Sequence, residues 1–123
     1  MLVSDILFRT ARDRAAELLR IRFSSPLFRL GSAREIQRRV SFPAGGPDQT
    51  PGVIVMAIEG RDDIVVVFNA TPDWTTQTVP VRGRYALHPV QARGGDPVVR
   101  TSTYRSGGSF TVPGRTTAVF VAR

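Results

Sequence analysis

The chain has 123 residues, 41% of them apolar and 22% charged, which fits one folded domain with a real hydrophobic core and excludes a disordered polypeptide. It has no Cys, which removes disulfides and thiolate chemistry, and no apolar run approaching the roughly 20 residues of a bilayer-spanning helix. The net charge of +7 rests on 17 basic residues, all Arg, but the interleaving of aromatic and basic side chains that a nucleic-acid stacking platform needs is missing.

Met1-Leu2-Val3 runs into charge rather than an apolar h-region, so no signal peptide is read here, and the compartment is not legible. Ser4 is placed to cap a helix with Asp5 in its first turn. From there to about Arg22, Leu7, Phe8, Ala11, Ala15, Leu18 and Leu19 recur at three- and four-residue spacings, the stripe of an amphipathic helix. Arg9, Arg12, Arg14 and Glu17 fill its other side as a solvated face, and Ser25-Pro26 ends it. Ser32-Ala33-Arg34-Glu35 matches the capping box and predicts a second, shorter helix with Ile36 and Val40 on one face, stopped by Phe42-Pro43. Residues 44–52 are turn formers and lack both phosphate-binding glycine patterns, so they read as a connector.

From Val53 the chain becomes β. Val53–Ile58 and a strand opening with Ile64-Val65-Val66-Val67-Phe68 flank a hairpin loop at 59–63. The second of these runs is β-branched and does not alternate with polar residues, so it is predicted to be a central strand covered on both faces, closed by Pro72. Shorter strands are predicted over 78–81, 84–88, 98–104, 109–112 and 116–122, separated by Gly- and Pro-rich turns. The last is again apolar on both faces and belongs inside a sheet. Short strands at this spacing predict an antiparallel β-sandwich or barrel, preceded by the amphipathic helix and the second short helix.

Little in this pattern carries chemistry. Glu59, Asp62 and Asp63 share one hairpin tip, where charge is expected simply because tips are wet, and the EF-hand spacing is absent. Asn69-Ala70-Thr71 is formally a glycosylation acceptor, though Pro72 directly after it argues against its use. His88 is the only histidine, so a His-based metal site is excluded, and beside Pro89 it reads as a structural hydrogen-bonding group at a strand end. Trp74, Tyr85 and Tyr104 could stack sugar rings if they shared a face; scattered over three segments, they read rather as core and rim. No residue is assigned a catalytic, cofactor-binding or metal-binding role.

Several stretches together are specific. Residues 18–30, Leu-Leu-Arg-Ile-Arg-Phe-Ser-Ser-Pro-Leu-Phe-Arg-Leu, resemble the end of the catalytic barrel in the α-amylase superfamily of glycoside hydrolases. Residues 65–72, 87–91, 96–100 and 110–121 resemble, in order, the C-terminal domain of pullulanase-type α-1,6-glucosidases, the bacterial pullulanases and plant limit dextrinases. The resemblance implies a segment of a larger enzyme that hydrolyses α-1,6 linkages of pullulan, starch or glycogen. Residues 1–30 would be the last barrel helix and exit segment, and residues 31–123 a β-sandwich that packs on and stabilises the barrel. The catalytic acids and calcium sites of that family are expected outside this segment, so no residue role carries over. The residues themselves agree: one helical stripe and two strands greasy on both faces are more than a small sandwich can hide. The chain alone is therefore expected to self-associate through its first helix or to rearrange that helix. An α-glucan-binding module using Trp74, Tyr85 or Tyr104, and then an Arg-rich nucleic-acid binder, are the competing readings.

Overall fold

A computed structural model describes residues 3–123; Met1 and Leu2 lie outside the described residues. Helix α1 covers Val3–Ser24 and helix α2 Ala33–Arg39, with a 3-10 turn at Pro26–Arg29 between them. Strands follow at Val40–Ser41 (β1), Val53–Ile58 (β2), Ile64–Asn69 (β3), Thr75–Thr78 (β4) and Tyr85–Leu87 (β5). A one-turn helix Pro89–Ala92 (α3) and a 3-10 turn Val99–Thr101 lead to Thr103–Arg105 (β6), Ser109–Val112 (β7) and Thr116–Ala122 (β8). All strand pairs are antiparallel, in a five-stranded sheet of order β1-β2-β3-β8-β5 and a three-stranded sheet of order β4-β7-β6. This is a β-sandwich preceded by an N-terminal helix and a second short helix.

The run Ile64–Phe68 holds the centre, as its composition predicts. β3 pairs with β2 on one side and β8 on the other. Alternation sends Val65 and Val67 into the core between the sheets, with Val55, Phe110, Val112, Ala118 and Phe120. Ile64 and Val66 face the other way, into a second core with Ile21 of α1, Ile58 and Val119. Phe110, Phe120 and Tyr85 meet edge to face at ring separations of 4.9–5.4 Å, filling the inter-sheet space.

Several boundaries differ from those the sequence predicts. Ser4 does not cap α1 but lies inside its first turn, since Val3 is already helical and neither residue breaks a helix. The helix also runs on to Ser24, stopped only by Pro26. Val40 leaves α2 for extended backbone and pairs with Ile58, while Ile36 stays exposed. The strand predicted over 78–81 lies earlier, at Thr75–Thr78, because Pro80 has no N–H to give a ladder. The segment 98–104 is not one strand: Asp96 Oδ1 accepts from Val98 N at 2.9 Å, an Asx-type turn that winds Val99–Thr101 before β6 begins.

Candidate functional site

Helix α1 is fastened to the sandwich along one line. Ile21 is its buried apolar residue, and polar groups hold it on either side. Toward the N-terminus, buried Glu17 accepts from Gly95 N at 3.0 Å and from Arg14 Nη1 at 3.1 Å. Gly94 makes room for this clamp, since a Cβ there would lie 2.7 Å from Val90 O and 2.8 Å from Glu17 Oε1. Toward the C-terminus, Ser24 Oγ lies 3.0 Å from His88 Nε2, and His88 Nδ1 accepts from Val90 N at 3.2 Å to cap α3. Burial holds the His88 pKa below the ordinary imidazole value. Gln91 completes the joint: its Nε2 donates to Thr117 O at 3.0 Å and its Oε1 accepts from Val119 N at 2.8 Å. A side-chain amide thus takes the place of a neighbouring strand beside β8 just where β5 has ended.

The apolar stripe of α1 points elsewhere. At 100° per residue, Leu7, Phe8, Leu18 and Leu19 centre roughly a quarter turn from Ile21, and all four are exposed. The sheet beneath is also only half covered. Ile58, Ile64, Val66 and Val119 lie under α1 and the Pro26–Arg29 turn. Further along the same strands and on the same face, Ile54 and its cross-strand partner Phe68 remain 47% and 37% exposed. Thr117 is Phe68's partner on β8 and lines a small cavity together with Leu18. Leu18, Thr117, Phe68 and Ile54 therefore form a row that leads from the helix stripe onto the bare sheet. This open corner is the candidate functional surface.

The residues singled out in the sequence do not converge. Tyr85, 7% exposed, and Tyr104 belong to the inter-sheet core, and the Tyr104 hydroxyl donates to Gly83 O at 2.8 Å. Trp74 is 57% exposed and is not among their ring contacts, so no three-ring sugar platform is assembled. Asp63 Oδ1 accepts from Gly60 N at 2.9 Å, closing the hairpin turn, and among the described residues no group of three or more His, Asp or Glu is placed to hold a metal ion. Asn69 is buried and bonded on every side, which leaves its amide inaccessible to a glycan. His88 does hydrogen-bond structurally, as a helix cap and a tie to Ser24. Sequence reasoning missed Glu17, taken as a solvated residue, and Gln91; His88-Pro89 was the available signal for α3, because Pro favours the first helical position after a cap. No described helix is long and apolar enough to cross a membrane.

Fold and surface together define a class: an antiparallel β-sandwich domain that carries a helix on one outer face and leaves that face open. The family is equally definite. The family model for alpha-1,6-glucosidases, pullulanase-type, C-terminal, matches residues 3–123, and the chain belongs to that family. It is 47% identical to chloroplastic pullulanase 1 of Arabidopsis thaliana, over 85% of this chain and 13% of that relative. It is 30% identical to pullulanase of Klebsiella pneumoniae, over 84% of this chain and 11% of the relative. The crystal structure of ligand-free PulA from Klebsiella pneumoniae superposes with a TM-score of 0.76 at 33% identity, covering 85% of this chain and 11% of that one. The chain thus spans about an eighth of the length of the curated relatives it matches.

Proposed function

We propose that this domain is a non-catalytic β-sandwich of a debranching hydrolase acting on α-1,6-glucosidic linkages, and that it seats on and stabilises a catalytic (β/α)8 barrel of the same polypeptide. In this reading residues 1–30 supply the last barrel helix and its exit segment, and residues 31–123 the appended domain. The observation that carries it is the open corner between the α1 stripe and the bare sheet at Ile54 and Phe68. Contiguous apolar surface of this kind is the mark of an interface. Covering several hundred Å² of it at about 25 cal/mol per Å² supplies several kcal/mol to whatever packs there.

The acids support the non-catalytic half of the proposal. Glycoside hydrolysis needs two carboxylates facing each other across a cleft, and four of the ten acids, Glu17, Glu35, Asp63 and Asp96, are already engaged in ion pairs, turns and the helix clamp. The test is made in the longer enzyme. Deleting residues 40–123 is expected to lower its thermal midpoint or abolish soluble expression. Leu18→Asp is expected to lower the midpoint while turnover below the transition is retained. A truncated enzyme of undiminished stability overturns the proposal.

A further inference from the structure

The end of α1 is joined to the sandwich by a chain of hydrogen bonds that passes through the ring of His88. Val90 N lies 3.2 Å from Nδ1, Nε2 lies 3.0 Å from Ser24 Oγ, and Ser24 Oγ lies 2.6 Å from the Ile21 carbonyl oxygen. A carbonyl only accepts, so the Ser24 hydroxyl proton goes to Ile21 and the hydroxyl oxygen is left to accept from Nε2. A backbone N–H only donates, so Nδ1 must present a lone pair. Both constraints select one species, the neutral ring with its proton on Nε2. The imidazolium would carry a second hydrogen at Nδ1, aimed at the Val90 N–H.

We infer that His88 is a pH-sensitive latch between α1 and the sandwich. Neutral, it fastens the last turn of α1 to the start of α3. Protonated, it releases the Val90 N–H, and as the ring turns away from that donor it releases Ser24 as well. Ile21 and the Glu17 clamp still hold the helix about one and two turns earlier, so what opens is the joint and not the fold.

The surroundings leave this equilibrium to burial and hydrogen bonding. His88 borders a groove of about 760 Å³ whose charged lining comes from α2, with Glu35 and Arg39, and from the hairpin tip, with Arg61 and Asp62. Glu35 and Arg39 pair with each other at 2.6 Å, and the tip adds one charge of each sign. Among the described residues, α1, α3 and β8 contribute no charged side chain to the groove. The sign follows from linkage. Burial lowers the folded-state pKa below the free value of 6.5, so the unfolded or opened state takes the proton first. The latch is fully present above about pH 6.5 and is lost as pH falls through the folded-state value.

The test uses the 123-residue chain itself and is independent of any barrel. Ring ¹⁵N shifts are followed from about pH 4.5 to about 8, together with hydrogen-exchange protection of the Val90 amide relative to the β3 amides. The expected results are an Nε2-protonated ring at neutral pH, a midpoint below the free-imidazole value, and Val90 protection that falls by up to about tenfold per pH unit between about pH 6.5 and that midpoint, then levels off, while β3 holds. His88→Asn offers a capping oxygen in place of Nδ1 without titrating and is expected to make Val90 protection independent of pH. An Nδ1-protonated ring, a midpoint at or above the free value, or wild-type Val90 protection unchanged across the titration overturns the latch. All three are read on the wild-type chain, so they decide the matter even if His88→Asn does not fold.

Discussion

Asn69 Nδ2 donates to Pro113 O at 3.0 Å, a bond that ties the end of β3 in one sheet to the end of β7 in the other. The same amide donates to Val112 O and Asp73 O, while Asn69 Oδ1 accepts from Thr71 N and Thr71 Oγ1. One side chain, 2% exposed, thus serves the backbone of two segments, 71–73 and 112–113, where the sandwich closes. The inter-sheet core holds the sheets together; Asn69 sets how their ends meet.

Removing that amide leaves buried carbonyls without donors. Asn69→Ala is expected to cost about 2–4 kcal/mol, read as a drop in the urea midpoint at unchanged slope. Asn69→Asp should be worse, because a carboxylate turns acceptor oxygens toward three carbonyls. A loss below about 0.5 kcal/mol for Asn69→Ala, the range of an ordinary surface change, would mean that the amide is not the tie described. Expression in a glycosylating host should leave the mass at this sequon unmodified.

Glu17 offers a second check, on α1 alone. Glu17→Ala strands the Gly95 N–H and leaves Arg14 only its 4.0 Å pairing with Asp96, at an expected cost of about 1–3 kcal/mol. Glu17→Gln keeps an acceptor for Gly95 and should cost less than half as much. Because α1 is rich in Arg, limited trypsinolysis reports its release directly: cleavage at Arg14 and Arg20 should accelerate in Glu17→Ala well before the sheets unfold. Gly94→Ala should do the same, since its Cβ would press on the Glu17 carboxylate and the Val90 carbonyl. Equal cleavage rates in wild type and both variants would show that the clamp does not hold the helix.

These examples also show where the sequence speaks and where it falls silent. The apolar run 64–68, greasy on both faces, could only be an interior strand, and its hairpin named β2 as one neighbour; that β8 is the other is seen only in the structure. The surplus apolar stripe on α1 was legible for the same reason, as a periodicity with nowhere to go. The residues that seat α1 were not legible. Glu17 looks like any solvated helix acid until Gly94 and Gly95, far along the chain, approach it. Gln91 acts as a surrogate strand only because β5 stops at Leu87. The capping box at Ser32 was half right: Ser32 Oγ accepts from Glu35 N at 3.2 Å, but Glu35 turns to Arg39 rather than back to the cap. A stronger charged partner won the carboxylate, and it holds the Glu35 pKa below the usual carboxylate value.

The aromatic residues separate core from surface by a simple contrast. Phe110 is fully buried and touches the rings of Tyr85, Tyr104 and Phe120. Phe110→Ala should cost about 3–5 kcal/mol through lost burial and the cavity left behind. Trp74→Ala, on the surface, should change stability by no more than about 0.5 kcal/mol. Trp74 also reports on sugar: its fluorescence is expected to stay constant through a titration with maltooligosaccharides or pullulan. Saturable quenching would restore the glucan-binding reading, with Trp74 as its contact.

The last expectation concerns the isolated chain. With Leu7, Phe8, Leu18 and Leu19 exposed on α1, and Ile54 and Phe68 bare beside it, the 123-residue chain holds a surface that water disfavours. In the absence of a barrel, the partner at hand is a second copy, and sedimentation velocity should show a weight-average mass that rises with concentration. Leu18→Asp places a charge where the helix stripe meets the bare sheet and should shift the distribution to monomer. Because Leu18 faces solvent in the single chain, the same substitution should leave the monomer's unfolding free energy within about 0.5 kcal/mol of wild type. A wild-type chain that stays monomeric up to high concentration, with its helix ordered, would show that the exposed corner is too small to drive association by itself.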